Sequence, residues 1–400
     1  MKKFSSKKIT LLLLYFGYFL DFYDLSVFAI SYNEVLKEHF HIISPLIIQQ
    51  TRIMMTNYQI FGILLGCLIF GFFGDRLGRV FAIRYSILIY SFSTLMAVFT
   101  TSIPLFTFFR FLSGFGLACE FSTSNVLIAE LLKQEDQVKA SSQLYLFGIF
   151  GGLFATLFGF FSWKFMFLFG GFAGFVLFLF RENLIESDIF KLFNSKDQMT
   201  FKNIFSKMFN FNILVKLFYL TILIMPFNFV ISVFFLLPKF MKIHYPLEIS
   251  TKIILFTFYI GNLISTFAAM KFVNKFKNYK IYLIINIFIF LILIPLHTYI
   301  NDYTIFLFGI GLGILGGGYP TIWMQFALRY FPTSIRNTSS NLLFSFGRMT
   351  SILFNFIFLK WLSSHDYFSG HIVILVILIS VLCFCLLIKM KDTYGSDLVF

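Results

Sequence analysis

The feature that most constrains this chain is a succession of long apolar stretches separated by short polar segments. A transmembrane helix needs about 20 mostly apolar residues, and twelve such helices would occupy most of a 400-residue chain that is 58% apolar. Only 12% of the residues are charged, about half the share of a soluble domain. The solvent is therefore mostly lipid, and the remaining loops are too short for a soluble catalytic domain. We place the twelve spans at residues 9–32, 52–73, 80–100, 102–132, 138–161, 163–181, 213–237, 250–272, 281–299, 303–328, 339–361 and 370–389.

The first apolar stretch is too long for the core of a signal peptide and lacks a small-residue cleavage site, so we expect it to be retained as a helix. The four cysteines, Cys67, Cys119, Cys383 and Cys385, lie in apolar stretches without the spacing of a metal site. We expect them to act as small hydrophobic residues. We expect no metal, and no cofactor either, because nothing in the chain resembles the phosphate-binding loop of a nucleotide site.

The net charge of +14 could by itself indicate nucleic-acid binding. However, when the N-terminus is placed in the cytoplasm, about three quarters of the lysines and arginines fall in cytoplasmic segments, as the positive-inside rule requires. The charge is therefore an orientation signal, which predicts that both termini are cytoplasmic and that no nucleic acid binds. The longest polar stretch, 182–212, divides the chain into predicted bundles of six helices, 1–181 and 213–400.

A motif of glycines and charges, Gly71-Phe72-Phe73-Gly74-Asp75-Arg76-Leu77-Gly78-Arg79, follows the second span. Gly74 and Gly78 allow a tight turn between helices, and the charged side chains can make charge-assisted hydrogen bonds to neighbouring helix ends. We predict a latch that breaks and reforms as one bundle rocks against the other, with Glu130 paired to Arg76 or Arg79. An ordinary basic loop is the alternative. The predicted latch residues are Gly71, Gly74, Asp75, Arg76, Gly78, Arg79 and Glu130.

This loop, G-x-x-x-D-R-x-G-R after the second span, resembles the signature loop of the major facilitator superfamily. The resemblance implies an all-α membrane protein of 12 transmembrane helices in two six-helix bundles, with a substrate site near the midplane. It implies a secondary transporter that works by alternating access, and not an enzyme. The corresponding loop of the second half, Lys271 to Lys280, keeps its basic charge but lacks the Asp-Arg-Gly-Arg pattern.

Two carboxylates, Asp21 and Asp24, lie three residues apart in span one and share one helix face. An ionisable residue at bilayer depth costs about 2.5–3.5 kcal/mol, so each is a candidate functional group. Two carboxylates this close disfavour joint ionisation, and one of them can hold a proton near neutral pH, as a proton-coupled carrier requires. A salt bridge to an arginine of another helix is the alternative. The two interpretations are balanced for Asp24, whereas the structural one is favoured for Asp21.

Span four carries Arg110 in its outer half and Glu120 near its middle. They are about 15 Å apart along a helix and cannot pair directly, so each needs a partner from another helix. The aspartates of span one are natural candidates for Arg110. In span eleven, Arg348 could bind a substrate carboxylate bidentately or pair with a carboxylate of the first half. We assign proton coupling to Asp24, Glu120 and Asp21, and the substrate cavity to Arg110, Arg348, Tyr23, Gln143 and Asn341.

Further segments resemble the metabolite:proton symporter branch of that superfamily, which includes proline/betaine carriers. Asp21-Phe22-Tyr23-Asp24 is similar to its Glu-Trp-Tyr/Phe-Asp motif. Three further segments match motifs of this branch. The residues Arg110…Gly114…Glu120…Glu130 match R-x-x-Q-G-x-x-x-G-G-E…E. The segment 181–190 matches R-x-x-L-x-E-[ST]-x-x-F, and the segment 331–336 matches F-P-x-x-x-R. The departures are Ser113 for Gln, Ala118-Cys119 for Gly-Gly and Asp21 for Glu. They leave the substrate open.

Together these features predict proton-coupled uptake of a small polar metabolite. Arg110 and Arg348 favour a substrate with a carboxylate, such as an amino acid, a betaine or an organic acid. The alternative is a proton-driven exporter of a metabolite, siderophore or drug, although span five lacks the Gly-Pro pair typical of drug antiporters. A third interpretation is a non-transporting receptor on the same scaffold. We expect a monomer in the cell inner membrane whose partners are its small-molecule substrate, protons and the lipid bilayer.

Overall fold

The computed structural model describes residues 7–196, 200–233, 251–295, 304–362, 368–396 and 398. Every regular element within these ranges is a helix, so the predicted all-α class is confirmed. In the first half of the chain the helices are α1 Lys7–Glu34, α2 Pro45–Arg76, α3 Arg79–Val98, α4 Ile103–Leu117, α5 Glu120–Leu131, α6 Gln134–Phe158 and α7 Trp163–Phe180. A π-helical turn, Val35–His39, continues α1, and a 3-10 turn, Arg181–Asn183, continues α7.

Two short helices, α8 Asp188–Lys196 and α9 Phe201–Met208, connect the first half to the second. The second half contains α10 Phe211–Leu223, α11 Thr251–Phe276, α12 Tyr279–Leu293, α13 Thr304–Gly316, α14 Gly318–Leu328, α15 Arg336–Leu362 and α16 Phe368–Lys389. After one turn residue, α10 is followed by helical residues 225–233.

Within the described residues, nine helical segments are long and apolar enough to cross a membrane, and they coincide with predicted spans one to eight and ten. Two shorter apolar helices, Tyr279–Leu293 and Val373–Lys389, coincide with spans nine and twelve. Predicted span eleven corresponds to α15. The predicted spans therefore coincide with helices, although individual ends differ by up to seven residues.

Three predicted spans contain breaks, and in span seven the break is the turn residue Ile224 after α10. Span four is not one continuous helix, since α4 ends at Leu117 and α5 begins at Glu120. The carboxylate of Glu120 therefore lies in the first turn of a helix, where the helix dipole favours negative charge, and not at mid-helix as predicted. Span ten breaks at Gly317, between α13 and α14.

The segment predicted as a cytoplasmic loop, 182–212, is largely helical. Helices α8 and α9 are too short to cross a membrane, and Phe190, Ile204 and Met208 are buried. The segment thus packs against the transmembrane helices.

In both halves, glycines allow neighbouring helices to pack closely. A Cβ at Gly62 of α2 would overlap the carbonyl oxygen of Phe111 in α4, and a Cβ at Gly313 of α13 would overlap that of Phe258 in α11. Small residues let backbones approach closely in a membrane. The two halves meet where α2 and α5 pack on α15, and where α6 packs on α11 and α14.

Candidate functional site

Three of the carboxylates inside the predicted spans are each ion-paired to one arginine. The first pair joins Asp24 of α1 to Arg110 of α4, with 3.1 Å between Oδ1 and Nη1 and both side chains at most 2% exposed. Gln59 of α2 donates to Asp24 Oδ2 at 3.2 Å, and Thr94 of α3 donates to Oδ1 at 3.5 Å. The predicted partner of Arg110 is therefore one of the aspartates of span one, namely Asp24.

This first pair has spare hydrogen-bonding capacity. The Nε and Nη2 atoms of Arg110 are buried and find no hydrogen-bond partner among the residues that the structure describes. The guanidinium instead lies over the ring of Phe28, 4.7 Å from its centroid. Sequence reasoning missed Gln59 and Thr94, because uncharged polar residues are common in spans and only their position beside Asp24 distinguishes them.

The second pair joins Glu120 to Arg181, and both side chains are fully buried. It is bidentate, with Nη1 at 2.7 Å and Nη2 at 2.8 Å from the two carboxylate oxygens. Gly17 of α1 makes room for it, since a Cβ there would overlap Arg181 Nη2. Arg181 was interpreted from the sequence only as an orientation signal. The branch motif that begins at this arginine was the one available sign of a further role.

The third pair joins the two halves. Arg348 Nη2 of α15 lies 3.4 Å from Asp21 Oδ2 of α1, with the side chains 20% and 1% exposed. Of the two predicted roles for Arg348, the structure shows the pairing with a first-half carboxylate. The guanidinium also lies over the ring of Phe344, 4.6 Å from its centroid.

The other predicted cavity residues occupy different places. Tyr23 is buried within the first half, where its hydroxyl donates to the carbonyl oxygen of Met166 at 3.0 Å. Gln143 of α6 accepts a hydrogen bond from Tyr15 at 3.0 Å. Asn341 of α15 is fully buried at the junction of the halves and donates to Thr123 Oγ1 of α5 at 3.0 Å.

At the predicted cytoplasmic end, Asp75 of α2 caps the first turn of α15 in the other half. It accepts hydrogen bonds from the backbone N–H of Asn337 at 3.0 Å and of Thr338 at 2.8 Å, and from Thr338 Oγ1 at 2.7 Å. A carboxylate at a helix N-terminus satisfies N–H groups that have no partner within the helix. Asp75 thus makes the predicted bond to a neighbouring helix end.

Glu130 of α5 bridges two arginines at the same end. It lies 3.1 Å from Arg79 Nη2 and 2.8 Å from Arg336 Nη1, and all three side chains are fully buried. Of the two predicted partners, Arg79 is the one observed, whereas Arg76 is exposed. Arg79 also donates to the carbonyl oxygen of Thr333 in the second half at 3.0 Å. We call Asp75, Arg79, Glu130, Arg336 and Thr338 the latch cluster.

The glycines of this motif act differently from one another. Gly78 adopts φ = 114°, so it forms the predicted turn. Gly74, in contrast, lies inside α2 and not in a turn, and a Cβ there would overlap Asn337 Nδ2. At Gly71 a Cβ would lie 2.9 Å from Thr338 Cα. Gly71 and Gly74 therefore let α15 approach α2 closely.

The segment after α7 completes the latch cluster. Ser187 Oγ donates to Glu130 Oε2 at 2.6 Å, and Glu186 Oε2 accepts from the N–H of Val80 at 2.9 Å. Burial raises the pKa of Glu186 above its usual value, although the hydrogen bond from Val80 opposes this. Further bonds hold the halves together: Gln325 of α14 donates to Ser141 at 2.6 Å, and Arg329, which follows α14, donates to Gln137 at 2.5 Å.

These features define a multi-pass membrane protein whose two helical halves carry ion pairs at depth and are fastened at one end. That is the construction of a transporter. The chain belongs to the Major Facilitator Superfamily, whose profile matches residues 14–355. It is accordingly a transport protein and not an enzyme.

Two curated relatives come from Bacillus subtilis (strain 168). The putative metabolite transport protein YyaJ is 31% identical over 134 residues, which cover 34% of this chain and 28% of that protein. The putative niacin/nicotinamide transporter NiaP is 30% identical over 96 residues, which cover 24% of each. The chain thus spans only about a quarter of the length of these relatives.

Solved structures show the same fold. The proton:xylose symporter XylE, bound to 6-bromo-6-deoxy-D-glucose, has a TM-score of 0.78 at 18% identity, over 98% of this chain and 97% of that one. The human organic anion transporter MFSD10 has a TM-score of 0.77 at 13% identity, over 94% of this chain and 99% of that one.

Proposed function

We propose that this protein is a proton-coupled secondary transporter that takes up a small polar metabolite bearing a carboxylate. The observation that supports it is the set of three carboxylates in the spans, each held by one arginine. A buried charge is tolerated only when it is paired or neutralised by a proton. Protonation of one carboxylate therefore frees one arginine for a substrate anion.

We assign the proton to the pair Asp21 and Asp24, which lie three residues apart on one helix. Asp24 has two neutral hydrogen-bond donors, Gln59 and Thr94, in addition to Arg110. These donors stay beside the carboxyl group whether Asp24 is ionised or protonated. Glu120 is a further candidate, although its bidentate partner Arg181 leaves it little freedom.

Alternating access requires the two halves to part at each end in turn. We propose that residues 1–181 and 213–400 move as rigid bundles linked by 182–212, and that the latch cluster holds the predicted cytoplasmic end closed. Asp75 and Glu130 bond directly to the opposite half, so rocking must break these bonds. Gly71 and Gly74 allow them to reform at short distance.

We further propose that the protein works as a monomer in the cell inner membrane.

The test of proton-coupled uptake uses proteoliposomes with an imposed proton gradient and a metabolite library that includes niacin, nicotinamide and xylose, the compounds named for similar proteins. The proposal predicts accumulation that collapses when the gradient is dissipated.

Substrate flux without any proton movement would refute the proton coupling. To distinguish import from export, the same substrate is offered to right-side-out and inverted vesicles. Accumulation in the inverted vesicles alone would favour the exporter and contradict uptake.

A further inference from the structure

We propose that Asp21 and Arg348 form the substrate-binding pair, and that the ligand is a monocarboxylate with a flat, unsaturated body. The ligand carboxylate replaces Asp21 on Arg348, and the displaced Asp21 takes up a proton from solution. This proposal rests on the proposed function, since it identifies where the transported proton and the substrate meet.

The first argument is location. Among the ion pairs of the described residues that lie deep in the spans, Asp21–Arg348 alone joins the two halves. Asp21 is fourteen residues from the start of the 28-residue α1, which is halfway along a helix of about 42 Å and hence near the middle of the bilayer core. Arg348 lies twelve residues into α15, about 18 Å from the latch end. Rocking must therefore separate this pair, whereas Asp24–Arg110 stays within one half.

The second argument is unused bonding capacity. The pair makes one long contact of 3.4 Å, while Asp21 Oδ1 and Arg348 Nη1 are buried and find no partner among the described residues. Arginine is shaped to hold a carboxylate by two parallel N–H···O bonds. A ligand carboxylate can make both bonds, so it competes well against Asp21.

The third argument is charge. The charged groups that act on Asp21 are Arg348, Glu120 and Asp24, and the last two are already neutralised by Arg181 and Arg110. The other titratable groups that interact with Asp21, or with its neighbour Tyr18, are uncharged at neutral pH: Tyr18 on α1, Cys67 on α2, Tyr90 on α3 and Tyr145 on α6. Once Asp21 is protonated, the site therefore holds one uncompensated positive charge, which one monoanion balances.

The fourth argument is the shape of the surroundings. Starting from Arg348, a chain of rings crosses the junction of the halves. Phe344 lies 4.6 Å from Phe121, and Phe121 lies 5.0 Å from Tyr18, between ring centroids. Aromatic rings prefer offset or edge-to-face contact with another flat π system at such distances. When the halves part, a flat ligand body can take the place of one ring contact.

The experiment measures binding to the purified full-length protein by calorimetry, with benzoate as probe at several pH values. Benzamide is the neutral isostere, and glycine betaine is the zwitterionic comparison. We expect benzoate to bind up to tenfold more tightly for each unit by which the pH falls, because one proton is taken up with each ligand. We expect no measurable heat with benzamide.

The decisive variant is Asp21→Asn, which removes the competitor of the ligand while leaving a side chain of the same size. We expect it to bind benzoate at least tenfold more tightly at neutral pH and to lose the pH dependence. A salt bridge with only a structural role would give weaker or unchanged binding. Arg348→Gln should lose benzoate binding, and Asp188→Asn, at an exposed aspartate, should behave as wild type.

Two measurements test the proposed binding site even if Asp21→Asn does not fold. One is the pH dependence of benzoate binding to the wild type, and the other is the conservative variant Phe344→Leu, which we expect to bind benzoate more weakly. A flat slope, equal binding of benzamide, or preference for glycine betaine would overturn it. Proton-coupled transport of some other substrate without benzoate binding would refute this inference alone. Benzoate binding with the expected slope, but no proton flux with any substrate, would instead refute the proposed function.

Discussion

Replacing Asp75 by asparagine removes one charge from the junction of the halves while keeping the shape of the side chain. Asp75 accepts three hydrogen bonds from α15, at 3.0, 2.8 and 2.7 Å. Asparagine keeps one acceptor oxygen, so at least one buried backbone N–H, of Asn337 or Thr338, loses its partner. We expect the variant to favour the state that is open at this end.

The size of the effect follows from these contacts. A hydrogen bond to a charged group contributes about 1.5–3 kcal/mol, and a carboxylate at a helix N-terminus contributes about 0.3–1 kcal/mol more. Together the loss is about 2–4 kcal/mol, which shifts the equilibrium about 30- to 700-fold toward the open state.

Cys67 can report this shift. It is buried on α2, and its Sγ accepts a hydrogen bond from Ser345 of α15 at 2.5 Å, so it becomes accessible only when the halves part. With Cys119, Cys383 and Cys385 replaced by serine, the rate of Cys67 modification by a water-soluble thiol reagent measures the open fraction.

The matched control is Asp188→Asn, the same substitution in the segment between the halves. Asp188 is 87% exposed and pairs, among the described residues, with Lys191 on its own helix, so the rate should not change. If Asp75→Asn left the rate of Cys67 modification at the wild-type value, Asp75 would not be holding the halves together, and the reasoning would be wrong.

Four further outcomes are expected. Asp21→Asn removes the carboxylate that takes up the proton, so it should abolish proton-driven accumulation in proteoliposomes while leaving substrate exchange; full accumulation would contradict its role. Glu120→Ala leaves the charge of Arg181 buried and unpaired, which should cost about 3–5 kcal/mol and lower Tm, whereas replacing both residues by methionine should recover most of the loss. Gly78→Ala places a side chain at φ = 114° and should cost at least about 1 kcal/mol, seen as a lower Tm. Because burial raises the pKa of Glu186, its ionisation lowers stability as the pH rises above the ordinary carboxyl range; Glu186→Gln should flatten that dependence of Tm on pH.

The transmembrane spans and the latch motif could be predicted from local sequence. Apolar stretches mark the spans because lipid admits no long polar segment, and Asp75 and Arg79 stand in a distinctive glycine-flanked motif. The partner of Arg110 was predictable as well, because few carboxylates lie at the depth where it needs one. Local sequence did not show the helix break before Glu120, which changed its position from mid-helix to a helix N-terminus.

Arg181 and Arg336 show where sequence reasoning reached its limit. From the sequence, both are basic residues at the predicted cytoplasmic ends of spans, where they indicate orientation. In the structure, both are fully buried and paired with carboxylates. A basic residue at a span end is usually solvated, and its sequence context is the same whether or not a carboxylate lies nearby. Only the tertiary contacts of α5, with Arg181 at the end of α7 and with Arg336 at the start of α15, distinguish the two cases.

The sequence by itself determined that this chain lives in lipid, which way it is predicted to cross the membrane, and which few charges are buried. These properties depend on the cost of transferring each residue or segment into hydrocarbon, which is a local quantity. The tertiary structure alone decided which charge meets which. Asp21 and Arg348 are 327 residues apart in the chain and 3.4 Å apart in space, and an ion pair depends on distances of a few ångströms that only the packed helices set.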